Sequence, residues 1–451
     1  MRNMTAGSIP RHLIGYALPM IAGNLCQLTY NVADTVIIGK YLGEDAQAAV
    51  SCSNPIMTVM VLGASGLGIG ASVLMSRFFG AGKEDRLRRE FSTTVIFATL
   101  FSLAVFLPGM AFTRLILTWC RVPGASMDMA VSYLRIIFVG FLFSFQYNIL
   151  SHSMRAVGET RMPMLFLALS CAVNIGLDLL FVALLGMSVN GAAMATTFSQ
   201  ALSAGMCALW IKRKMPMLKP KKGGWVVDRE LLKKTASSGL LTALQQAAQP
   251  VGKVLIQGVV NGGGPVVIDA FNAVCRVDDF ACIPAQNIGS SIMTCSAQNR
   301  GAGLKERVKA SFSRGLLIAL CYFPLICGLT LLFCRPVMRF LAPNGEHAGD
   351  IVRMGIEYLR VKAWFFIMPC IVNAIQGYFR GLGRMTVVLA STVLQISVRT
   401  LCVFLMVPKI GIVAEAYGCF IGWMCMLLFE GGYLLYLARR GKLIPESRTN
   451  A

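Results

Sequence analysis

The sequence predicts an all-α membrane protein with twelve transmembrane helices in two six-helix lobes related by pseudo-two-fold symmetry. Three observations lead there. The 451-residue chain is 56% hydrophobic and only 14% charged, which leaves too little polar surface for a soluble globule. Its Lys and Arg residues crowd every second connection between apolar stretches, the positive-inside pattern of a polytopic protein with both termini in the cytoplasm. Finally, three short phrases recur in one register along the chain.

Hydropathy places the first six helices near residues 11–39, 48–77, 91–113, 128–153, 162–185 and 190–212. The second six fall near 230–260, 267–298, 312–334, 351–378, 386–408 and 411–438. Residues 91–113 and 315–334 carry no charge, and each stretch is long enough to span about 30 Å of hydrocarbon. No cleavable signal pattern opens the chain, so the first helix is expected to stay in the membrane. Lys83, Arg86, Arg88 and Arg89 follow helix 2, and Arg155 and Arg161 lie between helices 4 and 5. A basic segment from Lys212 to Lys234, with Pro216, Pro220, Gly223 and Gly224, reads as the linker. The expected division is therefore an amino-terminal lobe over 1–212, a cytoplasmic linker over 213–229 and a carboxy-terminal lobe over 230–451.

The halves repeat. Phe79-Gly80-Ala81-Gly82 recurs as Arg300-Gly301-Ala302-Gly303, and Met154-Arg155-Ala156-Val157-Gly158 as Phe379-Arg380-Gly381-Leu382-Gly383. Gly186 before helix 6 matches Gly411 before helix 12. Six helices per half give both halves the same orientation, which implies a two-fold axis along the membrane normal and a central cleft. Such a build suits alternating access better than a fixed pore.

Helix 1 carries Asn24, Gln27, Tyr30, Asn31 and Asp34 at helical spacing, and helix 5 carries Ser170, Asn174 and Asp178 on one face. Helix 6 adds Thr196. At about 1.5 Å per residue, Asp34, Asp178 and Thr196 all lie roughly 8–12 Å inside the outer ends of their helices. Two carboxylates, a carboxamide and a hydroxyl at one depth make a hard-oxygen site for a proton or a small monovalent cation such as Na⁺. A lone membrane carboxylate costs several kcal/mol and marks an ion or proton path, so Asp34 and Asp178 read as functional. Asn24, Asn31 and Ser170 read instead as interhelical hydrogen bonders.

The second half is furnished differently. Helix 7 has Gln245, Gln246, Gln249, Lys253 and Gln257 along one face, helix 8 has Asp269, Arg276, Asp278 and Asp279, and helix 10 has Asn373 and Gln376. Arg399 and Glu415 stand at compatible depth and read as a structural pair; Lys253 could meet Asp278 or Asp279. Helix 1 also contains Pro19, a candidate hinge, because an internal proline removes one backbone hydrogen bond and clashes with the preceding turn.

Several classes are excluded. The net charge of +21 is concentrated in the expected cytoplasmic loops, where orientation and contact with anionic lipid explain it without nucleic acid. The fifteen cysteines lie mostly in apolar segments and read as reduced, small hydrophobes. No nucleophile–base or metal-ligand cluster suggests an enzyme, and no cofactor is expected beyond a coupling ion.

Val32-Ala33-Asp34-Thr35-Val36-Ile37-Ile38-Gly39, Arg155-Ala156-Val157-Gly158-Glu159-Thr160-Arg161-x-Pro163 and Asn174-x-x-x-Asp178 together resemble the multidrug and toxic compound extrusion (MATE) family. Gly191-Ala192-Ala193-x-Ala195-Thr196 and Gln298-Asn299-Arg300-Gly301-Ala302 fit as well, and the resemblance covers about Ile9 to Arg440. It implies a twelve-helix antiporter that expels organic, often cationic and amphipathic, compounds in exchange for Na⁺ or H⁺. It assigns the cation site to Asp34, Asn174, Asp178 and Thr196, the hinge to Pro19, and neighbouring lining to Gln27, Tyr30 and Asn148. Gln246, Lys253 and Asn373 are the matching substrate-cavity candidates of the second half. This chain departs from the family in having Gln246 and Asn373 where several members carry acids. A bacterial cytoplasmic membrane, small organic substrates and a monomer are the expected setting. A flippase of lipid-linked saccharides from the same superfamily is the alternative; fourteen helices and a cationic cavity would favour it.

Overall fold

The computed structural model describes residues 2–119, 122, 124–221, 224–342, 345 and 347–444; Lys222 and Gly223 of the basic linker lie outside them. Among the described residues there are helices and connections but no strand. The first seven helices are α1 (Ile9–Leu42), α2 (Glu44–Gly80), α3 (Glu84–Trp119), α4 (Gly124–Ala156), α5 (Arg161–Asp178), α6 (Val189–Lys214) and α7 (Arg229–Asn261). The rest are α8 (Pro265–Gly301), α9 (Lys305–Leu341), α10 (Ala348–Phe365), α11 (Ile367–Gly381), α12 (Met385–Ile410) and α13 (Val413–Arg439).

Two elements differ from the hydropathy reading. The helix expected over 351–378 is broken at Phe366, and its two parts, α10 and α11, are bent by 44°. Pro369, three residues into α11, accounts for the break: it offers no N–H, and its ring clashes with the carbonyl four residues back. The helix expected over 162–185 winds as α-helix only to Asp178 and continues as a π-helical segment over Leu179–Leu184. Such wide turns are rare and frequent at functional sites.

Seven helices among the described residues are long and apolar enough to cross a membrane, and the bent α10–α11 pair makes an eighth. α1, α6, α7 and α8 are long enough but more polar, and α1, α7 and α8 carry the polar stripes noted above. The protein is thus a multi-pass, all-helical membrane protein.

By contact, the chain divides into two compact units, one formed by Met1–Asn3 and Pro19–Ala243, the other by Met4–Leu18 and Leu244–Ala451. Both boundaries fall inside helices: at Pro19 in α1 and after Ala243 in α7. In the first unit α4 packs against α2, α3 and α6, burying Phe138, Phe141 and Phe145. In the second, α8 packs against α9, α10 and α11, while α12 packs on α13. Each unit repeats the other's turns. Gly43, Gly82, Gly158 and Gly186 adopt positive φ in the first, as do Gly264, Gly303, Gly383 and Gly411 in the second. The three sequence phrases thus share backbone conformation, and Gly43 with Gly264 adds a fourth pair that the phrases did not include.

The α8–α11 crossing depends on small residues. A Cβ on Gly377 would stand 2.1 Å from the carbonyl oxygen of Gly289, a contact that only helix separation relieves. Gly377→Ala is therefore expected to cost about 1–3 kcal/mol, the range for overpacking a tight interior. A lowered thermal midpoint in detergent would agree with this, and an unchanged midpoint would not.

Candidate cation site

Asp34 and Asp178 meet inside the first unit. Their carboxyl groups face each other at hydrogen-bonding range. α1 supplies Asp34 about two turns before its carboxy-terminal end at Leu42, counting a turn as about 3.6 residues. α5 supplies Asp178 at the junction where the α-helix widens into the π segment. Asp178 is fully buried. Tyr30, one turn before Asp34, and the buried Tyr133 of α4 lie within electrostatic range of both carboxyls.

Carboxylates only accept hydrogen bonds, so two of them in contact need something positive between them. Among the described residues, Asp34 Oδ1 and both carboxyl oxygens of Asp178 have no donor. Asn174, buried one turn before Asp178, leaves both its amide oxygen and its amide nitrogen unpartnered. No salt bridge reaches either aspartate among the described residues. Buried polar groups are normally satisfied, so these four orphaned oxygens on α1 and α5 could hold a proton or a small hard cation. These donors fit Na⁺ as well as H⁺.

The other sequence candidates are placed as follows. Thr196 is half-buried on α6 and makes no hydrogen bond to this group among the described residues; its neighbour Thr197 donates to the Ile136 carbonyl at 3.2 Å. Ser170 donates to the Ser199 carbonyl, an interhelical bond between α5 and α6. Gln27 is exposed on α1. Asn148 donates to the carbonyl of Ser144 within its own helix at 2.9 Å, and Asn373 likewise to Pro369 at 2.8 Å. Gln246 is half-buried, whereas its buried neighbour Gln245 joins Thr392 and Arg380 in a network of the second unit. Pro19 lies inside α1.

The second unit holds an ion cluster in place of a carboxylate pair. Glu415, fully buried near the start of α13, is bound by Arg399 and by the Tyr358 hydroxyl, and Lys362 Nζ reaches it at 3.2 Å. Lys362 also bridges to Asp278 at 3.4 Å. The expected Arg399–Glu415 pair is thus present, with Lys362 and Tyr358 added. Lys253 pairs with Asp279, at 2.6 Å, while Asp278, about 100° further round α8, is engaged by Lys362. Two cations and two anions balance the buried group, in which Arg399 Nε lacks a partner but every carboxylate is engaged by a cation among the described residues. Sequence reasoning missed Lys362, because its partners lie 53 and 84 residues away (415 − 362 and 362 − 278). Tyr133 was missed because a lone tyrosine on an aromatic-rich helix gives no polar signal.

A multi-pass helical membrane protein with a partnerless carboxylate pair on one unit belongs among membrane transporters. The chain matches the MatE family model over residues 19–180 and 242–405. The matched segments start 223 residues apart (242 − 19), the spacing of the internal repeat. The chain therefore belongs to the MatE family, the MATE transporters. It is 27% identical over 390 residues, 86% of each chain, to the probable multidrug resistance protein YpnP of Bacillus subtilis (strain 168). It is 24% identical over 449 residues, 96% of this chain and 93% of the relative, to the probable multidrug resistance protein NorM of Thermotoga maritima. Among solved structures, a MOP superfamily transporter from Pyrococcus furiosus superposes with a TM-score of 0.89 at 21% identity, covering 98% of each chain.

Proposed function

We propose that this protein is a Na⁺- or H⁺-coupled antiporter that exports organic, cationic or amphipathic, compounds by alternating access. The observation that carries the reading is the Asp34–Asp178 contact without a donor or counter-charge. Asp34, Asp178 and Asn174, joined by Thr196, hold the coupling ion; substrate meets the polar lining from Gln27, Tyr30, Asn148, Gln246, Lys253 and Asn373. Twelve transmembrane spans in two six-helix lobes follow if α5 with its π segment, and α10 with α11, each count as one. The working state is a monomer in the bacterial cytoplasmic membrane, with both termini inside. Relatives named as multidrug resistance proteins support export of drugs over flipping of lipid-linked saccharides.

A coupling ion can act only through different affinities for two conformations. Neutralising the carboxylate pair would let α1 lean toward α5, and Pro19 supplies the joint, since it lies fifteen residues before Asp34, about 22 Å along the helix. The contact boundary at Pro19 supports that placement. Pro19→Ala is expected to slow turnover several-fold in proteoliposomes while equilibrium dye binding in detergent stays within about twofold. Normal turnover would leave Pro19 with a static, structural role. Dye efflux from liposomes, driven separately by a Na⁺ gradient and a pH gradient, tests the function as a whole.

A further inference from the structure

α8 carries a polar stripe that the buried ion cluster does not use. Asn272, Arg276, Asp279, Phe280 and Gln286 are exposed and share about a third of the helix circumference. Asp278, which joins Lys362, lies about 100° round the helix from Asp279. The stripe lies at membrane depth. Tyr322 of α9 donates to the Ala281 carbonyl at 2.9 Å, and Tyr322 sits within the charge-free residues 315–334 that cross the hydrocarbon. Arg276, five residues outward from Ala281, therefore lies roughly mid-way through that slab.

An exposed arginine at this depth faces water, because hydrocarbon would cost it several kcal/mol. It is also too deep to reach lipid headgroups. Its neighbours do not neutralise it. Asp279 is taken by Lys253 at 2.6 Å, and Arg276 has no ion-pair partner among the described residues. Asp269 lies two turns further out, about 10 Å away. Lys253, Asp279 and Arg276 together leave one net positive charge beside Phe280 and the Asn272 amide. A single guanidinium fork matches a planar monoanion, whereas a dianionic phosphate would need more than one free cation.

We propose that Arg276 is a specificity residue that recognises the carboxylate of an aromatic amphiphile, including one that also carries a delocalised cation. This deepens the export reading and rests on it. Asn272 adds a hydrogen bond one turn away, Phe280 offers a ring face, and the Lys253–Asp279 pair fixes the local charge so that Arg276 stays free.

The test uses rhodamine B, which bears a free carboxyl group, and its ethyl ester, which differs only in having that group blocked. Both are followed in proteoliposomes under the same gradients. The wild type should move both dyes. Arg276→Gln should lower kcat/KM for rhodamine B roughly tenfold or more, the worth of a charge-assisted hydrogen bond, and leave the ester within about twofold. Arg276→Lys should restore part of the rhodamine B rate. The intact ester rate serves as the control for folding. Equal effects on the two dyes, or none on either, would overturn the assignment. Wild-type transport of the ester alone would overturn it while leaving the export reading in place; transport of neither dye under any gradient would remove the export reading, and this inference with it.

Discussion

Asp34→Asn and Asp178→Asn are each expected to abolish gradient-driven efflux while the protein still folds and inserts. Each change replaces one half of a carboxyl pair that needs a proton or cation between its members. The amide relieves like-charge repulsion in a low-dielectric site, so thermal stability should hold or rise. What disappears is the differential binding of the coupling ion. Coupling free energies of about 1–3 kcal/mol correspond to roughly 5–150-fold, so coupled efflux should fall toward the upper end of that range. Unfolding midpoints in detergent and efflux in liposomes separate the two roles. Wild-type efflux in both variants would disprove the site, and a lower midpoint with proportionate loss of transport would make the pair structural.

The ion cluster of the second unit should behave in the opposite way. Glu415→Gln leaves Lys362 and Arg399 buried with Asp278 as the one remaining anion of the group. Lys362→Met leaves Asp278 without its partner. Stranding a buried charge costs about 3–5 kcal/mol, enough to lower the unfolding midpoint and the yield sharply. The double variant Lys362→Met/Asp278→Asn keeps the Arg399–Glu415 pair and should be more stable than Lys362→Met alone. Single changes without loss of stability would show that water reaches this cluster, and would move it from scaffold to transport path.

Much of this was legible in the sequence, for identifiable reasons. Charge-free stretches and alternating loop cations are long-range averages, so they survive small errors of boundary. Asp34 and Asp178 were legible because carboxylates are rare in apolar helices and a fixed rise per residue sets their depth. The break at Phe366 was not, because Ala363–Met368 is one uninterrupted apolar run and Pro369 acts on a carbonyl four residues back. The π segment after Asp178 has no local sequence signal; its Val182 packs in one cluster with Ile37 and Ile38, residues distant in the chain. Lys362 has no sequence signal that sets it apart from the nearby Arg353 and Arg360, and only the fold shows it buried against Glu415. The exchange of helix halves at Pro19 and Ala243 is likewise invisible to periodicity, which treats each helix as belonging to one lobe.

The central claim is that ion movement at Asp34 and Asp178 drives export. It is tested most directly by dye efflux against its own concentration gradient, in liposomes holding purified protein, with a Na⁺ gradient, a pH gradient, both or neither imposed. Uphill efflux with at least one gradient, abolished when that gradient is collapsed and in Asp178→Asn, is the predicted result. Dye that moves only downhill, at one rate whatever the ions and the same in Asp178→Asn, would contradict it.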